Sequence, residues 1–449
     1  MWLVKPEILK VKKHLIHNRH LLWRAAFGPS TGDVNALKNS TPRSIYHELL
    51  QASAGIIKPI SVQREPVASG EPIMPGTLPD DALRKLQREE VKVLNLLWLD
   101  EMCNGKAQLR EKMAFFWHGH FACRNRDPRL HEKLLHVIRT NALENFGTLL
   151  KGVSRSAAMV YFLNNNQNRK GHPNENFARE LMELFTMGRG YYTEADVQES
   201  ARAFTGWSTD KAGEFVFRKQ LHDQGRKSFL GRQGNFTGDD IIDIILEQPA
   251  TATFITTKLY RFYVSESPDP AHVDWLSKRF YQSGYNIRSL LEDILLSDWF
   301  YHPSIIGNRI KSPVELLAGV RRQFPMAVYE KSSQLMIQRV LGQTLFVPPG
   351  VAGWPTGRGW IDGASLLFRL RLPALLSLKK QDAWTTFAAG FAEKERSKII
   401  QALTGYWLQS PSSPSSDSML HNVNAGDPED KMIMSVSLNL LSTPEYQMC

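Results

Sequence analysis

One segment of the sequence, residues 172–188, combines an apolar helical face with more polar side chains than packing alone requires. At about 3.6 residues per turn, its large apolar residues fall on one side and predict a core face. Glu175, Arg179 and Glu183 recur every four residues on another side, which suits a solvated ladder of ion pairs. Glu180 lies on the border of the apolar face, without a cation three or four residues away. A carboxylate there needs a partner from elsewhere in the chain, which is an arginine, a histidine, a metal or a substrate.

Two histidines, His118 and His120, flank Gly119 directly after Trp117. Side chains two positions apart on a helix point about 200° apart, so only one of the pair faces a given site if the helix continues. If Gly119 ends the helix, both imidazoles reach one site. The pair therefore suggests either a metal site or a helix end, where one histidine caps carbonyls and the other is buried against Trp117.

A third group, His222, Asp223 and Lys227, lies in and beside a predicted turn. Aspartate and glycine favour turns for backbone reasons alone, which is one explanation of the sequence here. The alternative is functional: the histidine and aspartate complete a metal site, or bind an anion together with the lysine.

A fourth group lies in residues 347–360, which are dense in glycine, proline and tryptophan. The segment lacks the Lys-Ser/Thr ending of a phosphate-binding loop. Trp354, Trp360 and Arg358 suit the floor of a pocket for a sugar or another flat ligand. The alternative is an aromatic loop that packs over the core.

Together these groups suggest an enzyme with a helical pocket that holds a divalent metal, which is zinc, manganese or iron. Metal-assisted hydrolysis of an anionic or carbohydrate substrate fits such a pocket in a basic protein. The proposed metal ligands are His118, His120, Glu180, His222 and Asp223. The proposed catalytic residues are Glu180, Glu183 and His118. The proposed substrate-binding residues are Asn174, Asn176, Arg179, Arg202, Lys227 and Trp354.

The competing explanation of Glu180 is structural. In that case its carboxylate forms a buried ion pair with a distant arginine, and either Arg202 or Arg124 is able to serve.

The elements that must position these residues are mostly helical. The 449 residues are 42% hydrophobic and 22% charged, which is typical of a globular protein with a substantial core. Apolar residues recur at helical spacing through most of the sequence, so we predict a mostly α fold with a large bundle-like body and long loops. Residues 214–232 instead alternate apolar and polar side chains around a turn, and predict one small β-hairpin.

Two segments depart from the helical pattern, and a C-terminal segment follows the second of them. Residues 53–82 are rich in proline and glycine and predict a long loop. Residues 409–418 are rich in serine and proline and predict a disordered linker. Residues 419–449 are expected to form a C-terminal helix that packs back on the body.

The net charge of +10 and the pI near 9.4 favour anionic partners. The excess is spread along the chain, so a basic surface on a soluble protein is the simpler explanation. Cys103, Cys123 and Cys449 show no CxxC spacing, which argues against a disulfide framework or zinc ribbon and favours a reducing compartment. We find no leader-like apolar run at the N-terminus and no membrane-spanning window. We therefore expect a cytoplasmic protein without a transmembrane segment, although export together with a partner stays open.

A set of motifs stands in a fixed order along the chain: His20-Leu-Leu-Trp-Arg-Ala-Ala-Phe-Gly, Arg110-Glu-Lys-Met, Phe116-Trp-His-Gly-His-Phe, Asn174-Glu-Asn-Phe-Ala-Arg-Glu-Leu-Met-Glu-Leu-Phe-Thr-Met-Gly, Ala203-Phe-Thr-Gly-Trp, His222-Asp, Lys227-Ser-Phe-Leu-Gly, Lys311-Ser-Pro-Val-Glu and Gly353-Trp-Pro. The set resembles the bacterial family called domain of unknown function 1800, over roughly residues 15–449. The resemblance implies one mostly helical unit, so residues 1–408 are expected to form a single domain. That family is uncharacterised, so the resemblance implies no reaction.

The resemblance also implies a partner, because genes of this family often lie beside a gene for a sulfatase-like or alkaline-phosphatase-like protein. Many members are exported, which a sequence without an evident leader does not match. An alternative function is therefore that of a non-enzymatic partner or maturation factor of the sulfatase-like protein, with Glu180 in a structural pair. A second alternative, nucleic-acid binding, rests on basicity alone, since we find no basic aromatic stripe and no known binding module.

Overall fold

The computed structural model describes residues 6–64, 79–325, 330–377, 381–390, 395–409, 413, 416 and 427–449. The predicted mostly α fold is confirmed, with a small β component. The α-helices are α1 (Pro6–Ala25), α2 (Asp33–Asn39), α3 (Pro42–Ser53), α4 (Asp80–Asn104), α5 (Gln108–His120), α6 (Pro128–Asn141), α7 (Phe146–Arg155), α8 (Ala157–Phe162), α9 (Asn176–Glu180), α10 (Glu194–Ala203), α11 (Gly238–Leu246), α12 (Pro249–Tyr263), α13 (Pro270–Gln282), α14 (Ile287–Leu295), α15 (Pro313–Gln323), α16 (Lys331–Val340), α17 (Gly363–Ser377), α18 (Gln381–Ala388), α19 (Arg396–Trp407), α20 (Glu429–Leu441) and α21 (Pro444–Gln447).

Short helical turns of other types connect these helices. A π-helical turn, Leu181–Thr186, continues α9 directly. The described residues also include the 3₁₀ turns Asn165–Gln167, Lys219–Leu221, Asp298–Tyr301 and Gly357–Trp360. Within the described ranges, none of the helices combines the length and the apolar character that crossing a membrane requires.

Local sequence signals explain where many of the helices begin. Proline occupies the first turn of α3, α6, α12, α13 and α15, where its missing N–H costs nothing. Capping boxes open α3, α10, α11 and α15. In α15 the box consists of Ser312 and Glu315, so one carboxylate both caps this helix and enters the core.

In the described ranges the β structure consists of two hairpins, which corrects the predicted pairing within 214–232. Strand β1 (Trp207–Thr209) pairs antiparallel with β2 (Phe215–Phe217), and β3 (Lys227–Phe229) pairs antiparallel with β4 (Arg232–Gly234). Leu230 and Gly231, between β3 and β4, have φ angles of 47° and 78°, which suits a tight turn of type I′. A two-residue turn closes a hairpin locally, whereas the predicted pairing of β2 with β3 had to span residues 218–226.

The two other irregular segments are described only in part. Residues 54–64 of the predicted loop form no helix or strand, residues 65–78 lie outside the described ranges, and α4 begins at Asp80. Most of the predicted linker at 409–418 also lies outside them. The C-terminal α20 contacts α17, α18 and α19.

The core contains a buried ion cluster around Glu315. Its carboxylate accepts hydrogen bonds from Lys112 Nζ at 2.5 Å, from Arg309, and from the Ser312 amide at 2.9 Å. Burial tends to raise the pKa of Glu315, but the two cations outweigh that effect and hold its pKa well below the usual range. Lys112 lies on α5, so the cluster joins α5 to α15 and to the segment before it.

We expect Glu315→Gln to lower the free energy of unfolding by about 3–5 kcal/mol, because Lys112 and Arg309 lose the charged carboxylate to which both are hydrogen-bonded. The control is Asp274→Asn, which removes an exposed ion pair to Lys278 and should cost less than about 1 kcal/mol. Urea unfolding followed by circular dichroism measures both. Equal, small losses in the two variants would show that the cluster is unimportant for stability.

Candidate functional site

A cleft of about 390 Å³ opens between α5, the C-terminal half of α12 and the loop that precedes α17. Its walls combine large aromatic side chains with charged ones. They include Phe115, Phe116, Gly119, His120, Lys258, Arg261, Phe262, Glu266, Arg309, Ser312, Glu315, Gln343, Ala352, Trp354, Pro355, Thr356, Gly357 and Trp360. A concave site of this size with a few charged groups is typical of a small-ligand site.

Two glycines let the tryptophan-bearing loop pack against the helices. Gly353 has a φ of 83°, and a Cβ there would lie 2.5 Å from the carbonyl oxygen of Gly119 on α5. Gly357 has a φ of 54°, and a Cβ there would collide with the carboxylate of Glu266, just beyond α12. The same carboxylate accepts a hydrogen bond from the Arg358 amide at 3.4 Å. The loop is therefore anchored to both helical walls of the cleft.

Helix α5 continues through Gly119 to His120, so the two histidines point to different surroundings. His118 is buried against Trp98, Phe346 and Trp354. Its Nε2 accepts a hydrogen bond from the Phe346 amide at 3.1 Å. Burial, assisted by nearby His131, lowers the pKa of His118 to about 3, so the ring is neutral. In this arrangement His118 holds the start of the loop and does not line the cleft.

His120 lines the cleft, and its ring joins two elements. Nε2 lies 3.0 Å from the Phe185 carbonyl oxygen, and Nδ1 lies 3.2 Å from Lys258 Nζ. The lysine also donates to the Leu184 carbonyl at 3.1 Å. Burial, assisted by the charge of Arg261, lowers the pKa of Lys258 to about 8.

The charges along the cleft are mostly positive. Among the described residues, neither Lys258 nor Arg261 has a carboxylate partner. Arg309 is paired with Glu315, but its buried Nε has no hydrogen-bond partner in the part of the chain that the structure describes. The remaining carboxylate, that of Glu266, bonds to the loop backbone. An anion is therefore the kind of ligand that complements this wall.

The structure corrects the part of the expectation for Glu180 that names a distant arginine or histidine as its partner. Its side chain is half-buried and forms no hydrogen bond or ion pair with any described residue. Burial and the nearby charge of Glu183 raise its pKa, while Arg179 and Arg189 oppose them. A half-exposed carboxylate keeps much of its hydration, so its position on the border does not require a partner.

The predicted ladder of ion pairs also changes after Glu180. Arg179 bonds to Glu175 at 3.1 Å as expected, but its second partner is Glu194 at 2.6 Å. Glu183 pairs instead with Arg189, at 2.6 Å. The physical reason is the π-helical turn, whose wider winding rotates Glu183 away from the position that an α-helix would give it.

The predicted residues of the hairpin region form one cluster of their own. Arg202 on α10 binds Asp223 and Glu199, and Lys227 Nζ donates to the Asp223 carbonyl at 2.6 Å. His222 Nδ1 lies 2.9 Å from the Thr205 carbonyl. These contacts fix the β3–β4 hairpin on α10, and no hydrogen bond or ring contact in the described ranges joins them to either histidine of α5.

The two predicted asparagines support the start of α9. Asn174 Oδ1 accepts from the Asn176 amide at 3.0 Å, and Asn176 Nδ2 donates to the Leu163 carbonyl at 3.2 Å. Of the predicted substrate-binding residues, Trp354 is the one that lines the cleft.

The five predicted metal ligands therefore do not gather at one place. His118 faces the loop, His120 faces Lys258, Glu180 lies on α9, and His222 and Asp223 belong to the hairpin cluster. No group of three or more His, Cys, Asp or Glu side chains in the described ranges has the arrangement of a metal site.

Sequence reasoning missed Lys258, although a signal for it exists. Phe254, Lys258 and Phe262 recur every four residues and share one face of α12. Lys258 is thus a cation between two aromatic residues on one helix face, and it lines the cleft.

A family model described as "Protein of unknown function (DUF1800)" matches residues 20–448. No curated protein sequence and no solved structure matches the chain.

We expect stability to fall as the pH drops below about 6.5, because His118 and His131 are buried as neutral rings with pKa values lowered from 6.5 to about 3 and about 4. Below pH 6.5 the unfolded chain binds more protons than the folded one. The contribution of the two histidines to the free energy of unfolding is therefore complete above pH 6.5 and is lost progressively below it. Each histidine contributes about 1.4 kcal/mol per pH unit. Urea titrations between pH 7.5 and 5 measure the slope.

The comparison for this slope is His118→Gln. That variant should be less stable at pH 7.5 but should lose stability less steeply on acidification, since one titrating group is gone. An unchanged slope would contradict the assignment of His118 as a buried neutral ring.

We expect Gly353→Ala to destabilise the protein by at least about 1 kcal/mol, because the new Cβ meets the Gly119 carbonyl in a left-handed conformation. Gly350→Ala, in the same loop, has open space and should change stability little. Thermal unfolding compares the two variants. A Gly353→Ala protein as stable as the Gly350→Ala control would show that the loop does not depend on this close approach.

Proposed function

Because this chain belongs to the DUF1800 family of proteins of unknown function, whose description names no reaction, we propose its function from the cleft: it binds an anionic saccharide. By this we mean a sugar ring that carries a sulfate, phosphate or carboxylate group. The observation that carries the proposal is a wall with Lys258 and Arg261, which have no carboxylate partner among the described residues, in one cleft with Trp354 and Trp360.

The aromatic side of the cleft supports a ligand with a flat ring. Trp354 is half-buried, Trp360 is 6% exposed, and both contribute to the lining. Aromatic faces in a partly dry site favour the apolar face of a ring, and they leave polar substituents free to reach other groups. The sequence suggested such a role for these two tryptophans.

The charged side supports an anionic substituent on that ring. Arg261 is exposed at the end of α12, one helical turn beyond Lys258, and Arg309 lies beside Phe262 with its guanidinium 5.1 Å from the ring centroid. An arginine bonds well to sulfate, phosphate or carboxylate, because its planar fork matches two oxygens. A volume of about 390 Å³ suits one or two sugar rings and excludes a nucleic-acid duplex.

Hydrolysis of the bound saccharide with a divalent metal is the finer form of this proposal. The cleft itself offers His120, Glu266 and Glu315, each of which already bonds to protein groups. Elemental analysis of protein purified without chelator tests the metal, and an absence of bound zinc, manganese and iron together with an unchanged melting temperature on adding them would reject it. Co-purification with a sulfatase-like protein tests the partner role in the same way.

We expect a sulfated disaccharide to raise the melting temperature, and Arg261→Gln to weaken its binding by roughly tenfold, since one charge-assisted hydrogen bond is lost. The matched control is Arg84→Gln, because Arg84 is an exposed arginine on α4 outside the cleft. Isothermal titration calorimetry gives the affinities, and the desulfated disaccharide gives the contribution of charge.

Equal binding of the sulfated and desulfated disaccharides, or equal losses in Arg261→Gln and Arg84→Gln, would reject the proposal. Salt-sensitive binding of single-stranded oligonucleotides that Arg261→Gln leaves unchanged would place an anion site elsewhere on the basic surface.

A further inference from the structure

The hydrogen bonds of His120 define which of its nitrogens carries the proton. A carbonyl oxygen only accepts hydrogen bonds, so the contact of 3.0 Å with Phe185 requires a proton on Nε2. In the neutral ring Nδ1 is then an acceptor, and it faces Lys258 Nζ at 3.2 Å. The imidazole therefore presents a lone pair to the lysine.

Among the described residues Lys258 has two acceptors, and both are neutral. They are His120 Nδ1 and the Leu184 carbonyl oxygen, which lies 3.1 Å away. A neutral amine carries two hydrogens, so these two bonds satisfy it completely. The third position on the nitrogen is then a lone pair, and the side chain lines the cleft.

The surroundings also make the charged form of this lysine costly. Lys258 is flanked by Phe254, whose ring centroid lies 4.8 Å from Nζ, and by Arg261 one turn further on. Burial and the arginine together lower its pKa to about 8, so an appreciable fraction is neutral near pH 7. A desolvated lysine next to a cationic group is a known way to activate an amine.

We propose that Lys258 is a nucleophilic amine that forms an imine with a carbonyl carbon of an anionic ligand in the cleft, which rests on the proposed function. Nζ attacks the carbonyl carbon, and the C=O π bond opens to a carbinolamine. The oxygen then leaves as water with the two amine hydrogens, and a C=N bond remains. No oxidant or reductant is needed. An open-chain sugar supplies such an aldehyde at its reducing end.

His120 acts as a positioning residue in this scheme. It holds Nζ through Nδ1, and it is itself held by the Phe185 carbonyl. The π-helical turn thus holds the imidazole of His120, and the imidazole holds the amine of Lys258. These two contacts fix the position at which Nζ meets the ligand.

The test uses pyridoxal 5′-phosphate as the probe, because it combines a flat ring, an anionic phosphate and an aldehyde. Borohydride reduces an imine to a stable amine, and peptide mass spectrometry then locates it. We expect one label per chain, on Lys258, with a rate that rises roughly tenfold between pH 7 and 9, as the neutral fraction of an amine with a pKa of about 8 does. Lys258→Arg keeps the positive charge and should lose this label.

The matched control is Lys278→Arg, because Lys278 is an exposed lysine paired with Asp274 and its substitution should leave the labelling of Lys258 unchanged. The peptide map of the labelled protein without any substitution locates the label directly. It therefore tests whether Lys258 reacts even if Lys258→Arg folds poorly. Labels confined to surface lysines, or a Lys258 label whose rate ignores pH, would overturn the proposal.

Two further measurements separate this proposal from the proposed function. Pyridoxine 5′-phosphate carries the same phosphate but lacks the aldehyde. If it raises the melting temperature while pyridoxal 5′-phosphate does not label Lys258, the result supports the anion site and rejects the nucleophilic amine. The sulfated disaccharide should protect Lys258 from the label. Labelling without such protection supports the amine and counts against the saccharide as the ligand.

Discussion

The hydrogen-bonded charge cluster at Glu315 is the constraint on which the rest of this structure depends. One carboxylate, itself 1% exposed, holds Lys112 from α5 and Arg309 from the segment before α15, while it also caps α15. Taking these charges out of water is costly, and the cost is offset only while all three stay in place. The arrangement therefore fixes the relative positions of the elements that form one end of the cleft.

Further charged groups surround the cluster, and among them an anionic group at Cys449 acts on both Arg309 and Lys311. Lys311 lies next to the cluster, between the rings of Trp23 and Tyr446, at 3.4 and 3.9 Å from their centroids. Burial lowers the pKa of this lysine to about 7, because its charged form is poorly solvated there. Arg309 belongs both to this cluster and to the cleft lining, so the positive character of the cleft begins in the core and does not depend on surface residues alone.

The sequence predicts the helical fold because apolar residues at helical spacing report burial directly. For the tryptophan-rich loop it leaves two explanations open, a pocket floor and an aromatic loop packed over the core, and the structure places Trp354 and Trp360 in the lining of the cleft. The sequence does not predict that β2 pairs with β1 and that β3 pairs with β4. The geometry of the turns decides between these pairings and the expected pairing of β2 with β3. Nor does it predict the fate of Glu180, since the period of an α-helix cannot reveal a π-helical turn or the hydration of a half-exposed side chain.

The segment that first suggested chemistry contacts two residues of the cleft lining, His120 and Lys258, through its backbone. The side chains of Arg179 and Glu183 form local ion pairs, whereas the last carbonyls of the π-helical turn accept from Lys258 and from His120. These carbonyls have no partner within their own helix, as at any helix end, so they are available to a donor from α5 or α12. A backbone contact carries no side-chain signature, so the sequence pattern did not reveal it.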